Sequence, residues 1–384
     1  MSCPLPFINL EARTDGTMSV CCIMQEHARK SDGTAFNLAK GDTFTDVRRS
    51  EWLANLQQDF LDGAKPAACN NCWHEEAAGI PSKRLRELAY WGEHTQPNIK
   101  SLDLKLGNIC NSKCRICSSF ASSQWAAEEI KLNPNNKTAL MFNHLGRWPE
   151  RNEQFWTDID QYLNTVEKLE FYGGEPLLIE RHYDILERAV ELGRSQDITV
   201  SYNTNGSIYP KHRIELWKQF KRVEIFFSLD DIDQRFHYIR FPGDFDSVVN
   251  NLKLFAQLPQ DTFELGIFQT YSIFNIATMT ELTDYCAEHL PGIRIHYNMV
   301  FTPRHISPKV LPKRIKERIS IKYHNAPEYV QRTLNFMNGE QYTNEDWQNF
   351  LTITRRLDTH RREQLPEVFP ELYELIKRDW DGVQ

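Results

Sequence analysis

Short apolar runs alternate with longer amphipathic ones from residue 99 to residue 305 of this 384-residue chain, and that alternation narrows the fold before any single residue is considered. Runs at 101–106, 168–172, 198–203, 223–229, 264–273 and 294–300 have the length of short apolar strands. Segments 181–192, 211–219, 245–258 and 278–289 carry helical spacing. A strand joined through a helix to the next strand of one sheet makes a parallel pair with a right-handed crossover. Six such strands predict an α/β fold, a partial (β/α)6 TIM-type barrel short of eight-strand closure. Its chemistry is expected on the loops that leave the C-terminal strand ends.

Two flanking segments complete the expected organisation into 1–98, 99–305 and 306–384. Residues 7–13 and 17–23 alternate apolar and polar positions around Asp15 and Gly16, the pattern of a β-hairpin. A helix is expected from Ser50, with Trp52, Leu53, Leu56 and Phe60 on one face, and a charged helix over 81–92. The last segment is polar and helical: Trp347, Phe350, Leu351, Ile353 and Leu357 suit one amphipathic helix, and Leu372, Tyr373 and Ile376 a final short one. The basic run over 313–318 reads as a solvated helix face.

Apolar residues make up 41% and charged residues 25%, as in a folded domain. A net charge of −7 exerts no global pull on nucleic acid or anionic lipid. No apolar run approaches the roughly 20 residues that span a bilayer, and the N-terminus lacks a basic stretch ahead of a long apolar one. A cytoplasmic location is therefore expected, with neither membrane nor nucleic acid as a partner.

Nine cysteines in such a chain point to metal ligation or catalysis rather than to disulfides. Cys110, Cys114 and Cys117 follow directly on the first barrel strand. Thiolates are soft ligands that favour iron–sulfur clusters or zinc. Three of them on a 4Fe–4S cluster leave one iron without a protein ligand; on zinc they would borrow a fourth ligand from Cys286 or a histidine. Further polar motifs stand at successive strand ends. The second strand runs into Gly173, Gly174 and Glu175, the third ends in Asn203, Thr204, Asn205 and Gly206, and the fourth leads through Ser228, Asp230 and Asp231 to Arg240.

The spacing of Cys110, Cys114 and Cys117 resembles the Cys-x3-Cys-x2-Cys signature of the radical S-adenosylmethionine (SAM) superfamily. The strand-end motifs resemble that family's SAM-binding elements. The resemblance implies that Gly173, Gly174 and Glu175 receive the SAM amino group, that Asn203 belongs to the element at the third strand, and that Ser228 and Arg240 contact the ribose or carboxylate. Asn275 matches a position near the ribose. It also implies a SAM-binding 4Fe–4S cluster, reductive cleavage of SAM to a 5′-deoxyadenosyl radical, hydrogen abstraction from a substrate, and an electron donor of the flavodoxin or ferredoxin type.

The first segment resembles the auxiliary-cluster modules known as twitch and SPASM domains. Cys3, Gly16 and Cys21 match the Cys-x(9–15)-Gly-x4-Cys element, and Cys69 and Cys72 complete a four-thiolate set for a second 4Fe–4S cluster. A structural zinc takes four thiolates equally well, and Cys22 competes with Cys21 for the ligand position. Cys286 falls in a helical pattern and reads as packing. Gln269, Tyr271 and Tyr297 are candidates to face a substrate, or else barrel packing; His74 and His237 are candidate ligands or proton donors, or else ordinary polar residues. Auxiliary-cluster relatives imply a peptide or protein substrate. A carbohydrate or other small metabolite is the alternative, and a zinc-stabilised, non-enzymatic binding protein is the second alternative.

Overall fold

In the computed structural model, which describes residues 2–77, 81–339 and 343–382, one eight-stranded sheet runs in the order β2-β1-β3-β4-β5-β6-β7-β8. The strands are β1 (Asn9–Ala12), β2 (Met18–Ser19), β3 (Ser101–Lys105), β4 (Lys168–Tyr172), β5 (Thr199–Thr204), β6 (Arg222–Ser228), β7 (Phe263–Tyr271) and β8 (Arg294–Met299). From β3 to β8 neighbours are parallel, and the expected strands lie at the expected places to within a residue or two at each end.

Burial alternates along β4 and β6. In β6, Val223, Ile225 and Phe227 are fully buried against the helices, while Glu224, Phe226 and Ser228 are half-buried on the other face. The parallel register puts Glu11, Asp103, Glu170, Ser201, Glu224 and Glu264 at one level of that second face. This level of the barrel lumen is therefore polar. Lys105 bridges Glu11 and Asp103, each at 2.8 Å, and Lys168 sits 3.2 Å from Glu170. Burial of these groups is tolerable because each has an ionic or hydrogen-bonding partner.

The hairpin around Asp15 and Gly16 exists, but it is shorter than expected. Residues Leu5–Ile8 form a single helical turn, and only Glu11 and Ala12 pair with Ser19 and Met18. Its first strand also lies parallel to β3, Glu11 opposite Asp103. The first segment thus shares the barrel's sheet. Between β3 and β4 the chain inserts helices Ser123–Leu132, Lys137–Leu145 and Glu153–Asp160, which sequence periodicity did not single out.

Helices Asn344–Arg361 and Pro370–Trp380 match the expected C-terminal pair. They join Tyr238, Ile239, Tyr271 and Phe274 in a second apolar core beside the barrel. Helix Lys313–Lys322 is less solvated than its basic run implied: Ile315, Ile319 and even Lys316 are buried, the last through its aliphatic stem. No helix among the described residues is long and apolar enough to cross a membrane.

Candidate functional site

β3 leads into the loop that carries Cys110, Cys114 and Cys117, and the loop is held on three sides. The Trp125 indole donates to the Cys114 carbonyl at 2.6 Å, and Ser122 Oγ donates to the Ser112 carbonyl at 2.5 Å. The amides of Lys113 and Arg115 donate to the carbonyls of Phe241 and Ile239 at 2.8 and 2.6 Å, tying the loop to the segment after β6. Burial pushes the thiol of Cys117 up to about 12 and raises those of Cys110 and Cys114 as well. Thiols raised in this way ionise only against a nearby positive charge, which a metal ion would supply.

The turn after β4 packs on the same loop. The Glu175 amide donates to the Ile109 carbonyl at 2.7 Å. Gly174 has φ +58°, and a Cβ there would lie 2.2 Å from the Ile109 oxygen, so only glycine permits the contact. The Glu175 carboxylate is completely buried. One oxygen accepts from Thr204 Oγ1 at 2.8 Å and from the Leu177 amide at 3.2 Å, and the other from the Asn205 amide at 2.7 Å. Burial lifts this carboxyl to about 7 against the pull of those hydrogen bonds. Asn205 in turn donates to Asn111 Oδ1 at 2.8 Å. Thr204 and Asn205 thus couple Glu175 to the cysteine loop. Their place in the motif at the end of β5 was the available signal; their link to Glu175 was not legible.

Asn203 lies on the lumen face, and its buried Oδ1 has no hydrogen-bond partner among the described residues. Ser228 is half-buried on the lumen face of β6, opposite Phe268. Arg240 pairs with the buried Asp230 at 2.7 Å and exerts its positive field on Cys114 and Cys117. Asn275 is differently engaged. Its amide donates to the Asp230 and Thr270 carbonyls at 2.8 and 3.0 Å, and its oxygen accepts from the Ser272 amide at 2.8 Å. It brackets the ends of β6 and β7, and a ribose contact would have to compete with these bonds.

The candidates to face a substrate turn the other way. Gln269 and Tyr271 are buried on the outer face of β7, where the Tyr271 hydroxyl donates to the Met279 carbonyl at 2.9 Å. Tyr297 stacks on Tyr329 with centroids 4.1 Å apart. Tyr271 and Tyr297 pack into the core shared with the C-terminal segment, and the Gln269 amide donates to the Asp230 carbonyl at 3.3 Å. The lumen instead receives Phe226, Phe268 and His296, whose rings lie within 5.4 Å of one another. His237 is bound to the Gly243 carbonyl at 2.9 Å, His74 is exposed, and Cys286 is buried in helix Glu281–His289 as packing.

In the first segment Cys3, Cys21, Cys69 and Cys72 line one cavity together with Phe60 and Arg84. Cys22 does not line it. Hydrogen bonding with Cys21 pulls the Cys22 thiol down to about 6, assisted by the ammonium groups of Lys83 and Lys105, the latter a lumen residue. The chain turns here rather than running on as a strand, the Met24 amide donating to the Cys21 carbonyl at 3.1 Å, with Cys22 inside the turn. No group of three or more His, Cys, Asp or Glu side chains among the described residues is gathered as closely as a single metal ion requires.

Residues 104–282 match the family model of the radical SAM superfamily. A radical SAM cyclopropyl synthase, TigE, of Paramaledivibacter caminithermalis is 23% identical over 273 residues, which cover 66% of this chain and 53% of that protein. A probable GTP 3′,8-cyclase of Methanocella arvoryzae is 30% identical over 156 residues, 40% of this chain and 42% of that protein. The chain thus spans about half the length of these curated relatives. Among solved structures, anSMEcpe with bound AdoMet superposes with a TM-score of 0.38 at 15% identity, covering 69% of this chain and 62% of that one. Streptococcus suis SuiB bound to the precursor peptide SuiA gives 0.35 at 16% identity, covering 71% and 51%.

Proposed function

We propose that this chain, whose residues 104–282 match the radical SAM family model, is an enzyme that cleaves SAM reductively and abstracts hydrogen from a peptide or protein substrate. The observation that carries the reading is the Glu175 carboxylate, buried at the junction of the cysteine loop and the end of β5. The residues present fit the implied groups. Three thiols share one loop, the glycine turn brings Glu175 against Ile109, and the unpartnered Asn203 oxygen marks a place for a polar ligand. Once bound, the cluster supplies an open iron for the SAM amino and carboxylate groups and the electron that breaks the sulfonium C–S bond.

The chain's own residues bind and shelter. The Glu175 oxygen that accepts only from Asn205 has capacity left for the SAM ammonium. Arg240, its field directed at the cysteine loop, suits the cofactor carboxylate. Phe226 and Phe268 line the lumen with apolar surface that leaves a radical little to react with other than its substrate. β8 has no strand beyond it, and Arg294 and Asn298 are exposed along it. This open side suits entry of an extended chain.

A second 4Fe–4S cluster on Cys3, Cys21, Cys69 and Cys72 is part of the proposal. The shared cavity of four thiols drawn from distant sequence positions supports it.

Anaerobic reconstitution followed by incubation with SAM and dithionite tests the reading. The expected product is brown, carries about eight irons per chain and releases 5′-deoxyadenosine; mass analysis with candidate peptides then reads the substrate. Colourless protein that holds zinc and leaves SAM intact would refute it.

A further inference from the structure

Resting on the reading above, we propose that the groove at the C-terminal end of helix Asn344–Arg361 is the docking site for an acidic one-electron carrier protein that feeds the cluster on Cys110, Cys114 and Cys117. The groove is lined by Arg355, Arg356 and Arg362, with Trp380 at one side and Asp358 and Glu363 at its base. The two carboxylates do not cancel the arginines at the surface, because both turn inward. Asp358 and Glu363 accept from the Arg115 guanidinium at 2.7 and 2.8 Å. Arg356 and Arg362 are exposed.

Arg115 lies between Cys114 and Cys117, so the base of the groove touches a residue of the cluster loop itself. A second contact runs parallel to the first: Arg361 binds Glu128 at 2.6 Å, and Glu128 binds Lys113, the neighbour of Cys114, at 2.6 Å. The groove is thus a surface from which the cysteine loop is reached through directly contacting residues.

Electrostatics then select the partner. The chain as a whole carries −7, so on average an acidic protein meets repulsion, which a cluster of positive charge such as this one reverses locally. A local basic concavity on an acidic surface orients such a partner and speeds its encounter. In the transfer the carrier loses one electron and the cluster gains it, with no bond made or broken in either.

The test uses the reconstituted holoenzyme and reduced flavodoxin as the probe carrier. Titration calorimetry should give a Kd that rises at least tenfold in the Arg356→Glu, Arg362→Glu double variant and rises with salt in the unaltered protein. Hydrogen exchange should show protection of residues 352–364 when flavodoxin is added. SAM cleavage driven by flavodoxin should fall with the lost binding, whereas cleavage driven by dithionite stays at the unaltered rate. Unchanged flavodoxin affinity in the double variant, protection on another face, or an equal fall with both reductants would overturn the proposal. Protection of the groove by an acidic substrate peptide with none by flavodoxin would overturn it too. Iron content and thermal unfolding of the variant show that it is folded, and a milder Arg356→Gln, Arg362→Gln pair should lie between. If dithionite drives no cleavage in the unaltered protein, the radical SAM reading fails instead, and the flavodoxin titration still decides the groove.

Discussion

Arg115, set between two cysteines of the triplet, donates to the Asp358 carboxylate at 2.7 Å across 243 residues of sequence. The same guanidinium lies 3.7 Å from the centroid of the Tyr238 ring, whose hydroxyl also donates to Asp358 at 2.6 Å. The C-terminal helix is therefore joined directly to the cysteine loop through a buried ionic and hydrogen-bonded cluster.

Asp358→Ala tests that junction. The change leaves Arg115 with Glu363 as its remaining carboxylate and strands the buried Tyr238 hydroxyl without its acceptor, at a cost of about 1–3 kcal/mol. Denaturation of the reconstituted protein under argon should show the loss, with iron released from the triplet before the rest. A variant of unchanged stability and unchanged iron retention would show that the helix merely rests on the loop.

Gly174→Ala should damage the SAM site from the backbone. The left-handed φ costs an L-residue about 1–2 kcal/mol, and the new methyl would meet the Ile109 carbonyl, which cannot move without shifting Cys110. A lowered melting temperature and SAM binding weakened at least tenfold are expected, both read on reconstituted protein. SAM affinity equal to that of the unaltered protein would remove this contact from the site.

The pH dependence of SAM binding should follow Glu175. Its carboxyl is raised from 4.5 to about 7 by burial, and an ammonium group requires the ionised form. Affinity measured by calorimetry should therefore tighten as pH rises from 6 to 8, and Glu175→Gln should bind weakly with a flat profile. Stability of the cofactor-free chain runs the opposite way. The folded state holds this proton more tightly than the unfolded one, so the contribution falls as pH rises from 4.5 to about 7. A SAM affinity that is level across neutrality would assign the ammonium to another group.

The adjacent cysteines of the first segment should separate cleanly. Cys21 lines the four-cysteine cavity, and Cys22 is not among its lining residues. Cys21→Ser should cost about half of the iron, as should the Cys69→Ala, Cys72→Ala pair, while Cys22→Ser keeps its full complement. The reverse result from Cys21 and Cys22 would exchange their roles. Cys110→Ala, Cys114→Ala and Cys117→Ala together should remove the other half and abolish SAM cleavage.

Strand positions, the cysteine loop and the glycine turn before Glu175 were legible in the chain because each is written in neighbouring residues. Alternation marks a strand locally, and short spacings hold a motif together whatever surrounds it. Which face of β7 meets the lumen was not local. Gln269 and Tyr271 look like lumen residues by polarity, yet they are buried outside, where the Asp230 and Met279 carbonyls satisfy them. Those partners come from other parts of the chain. The same holds for β1 beside β3, for Thr204 on Glu175 and for Asp358 on Arg115. Each is a pairing across tens to hundreds of residues, selected by how the packed layers close, and no pattern within either partner's own segment encodes it.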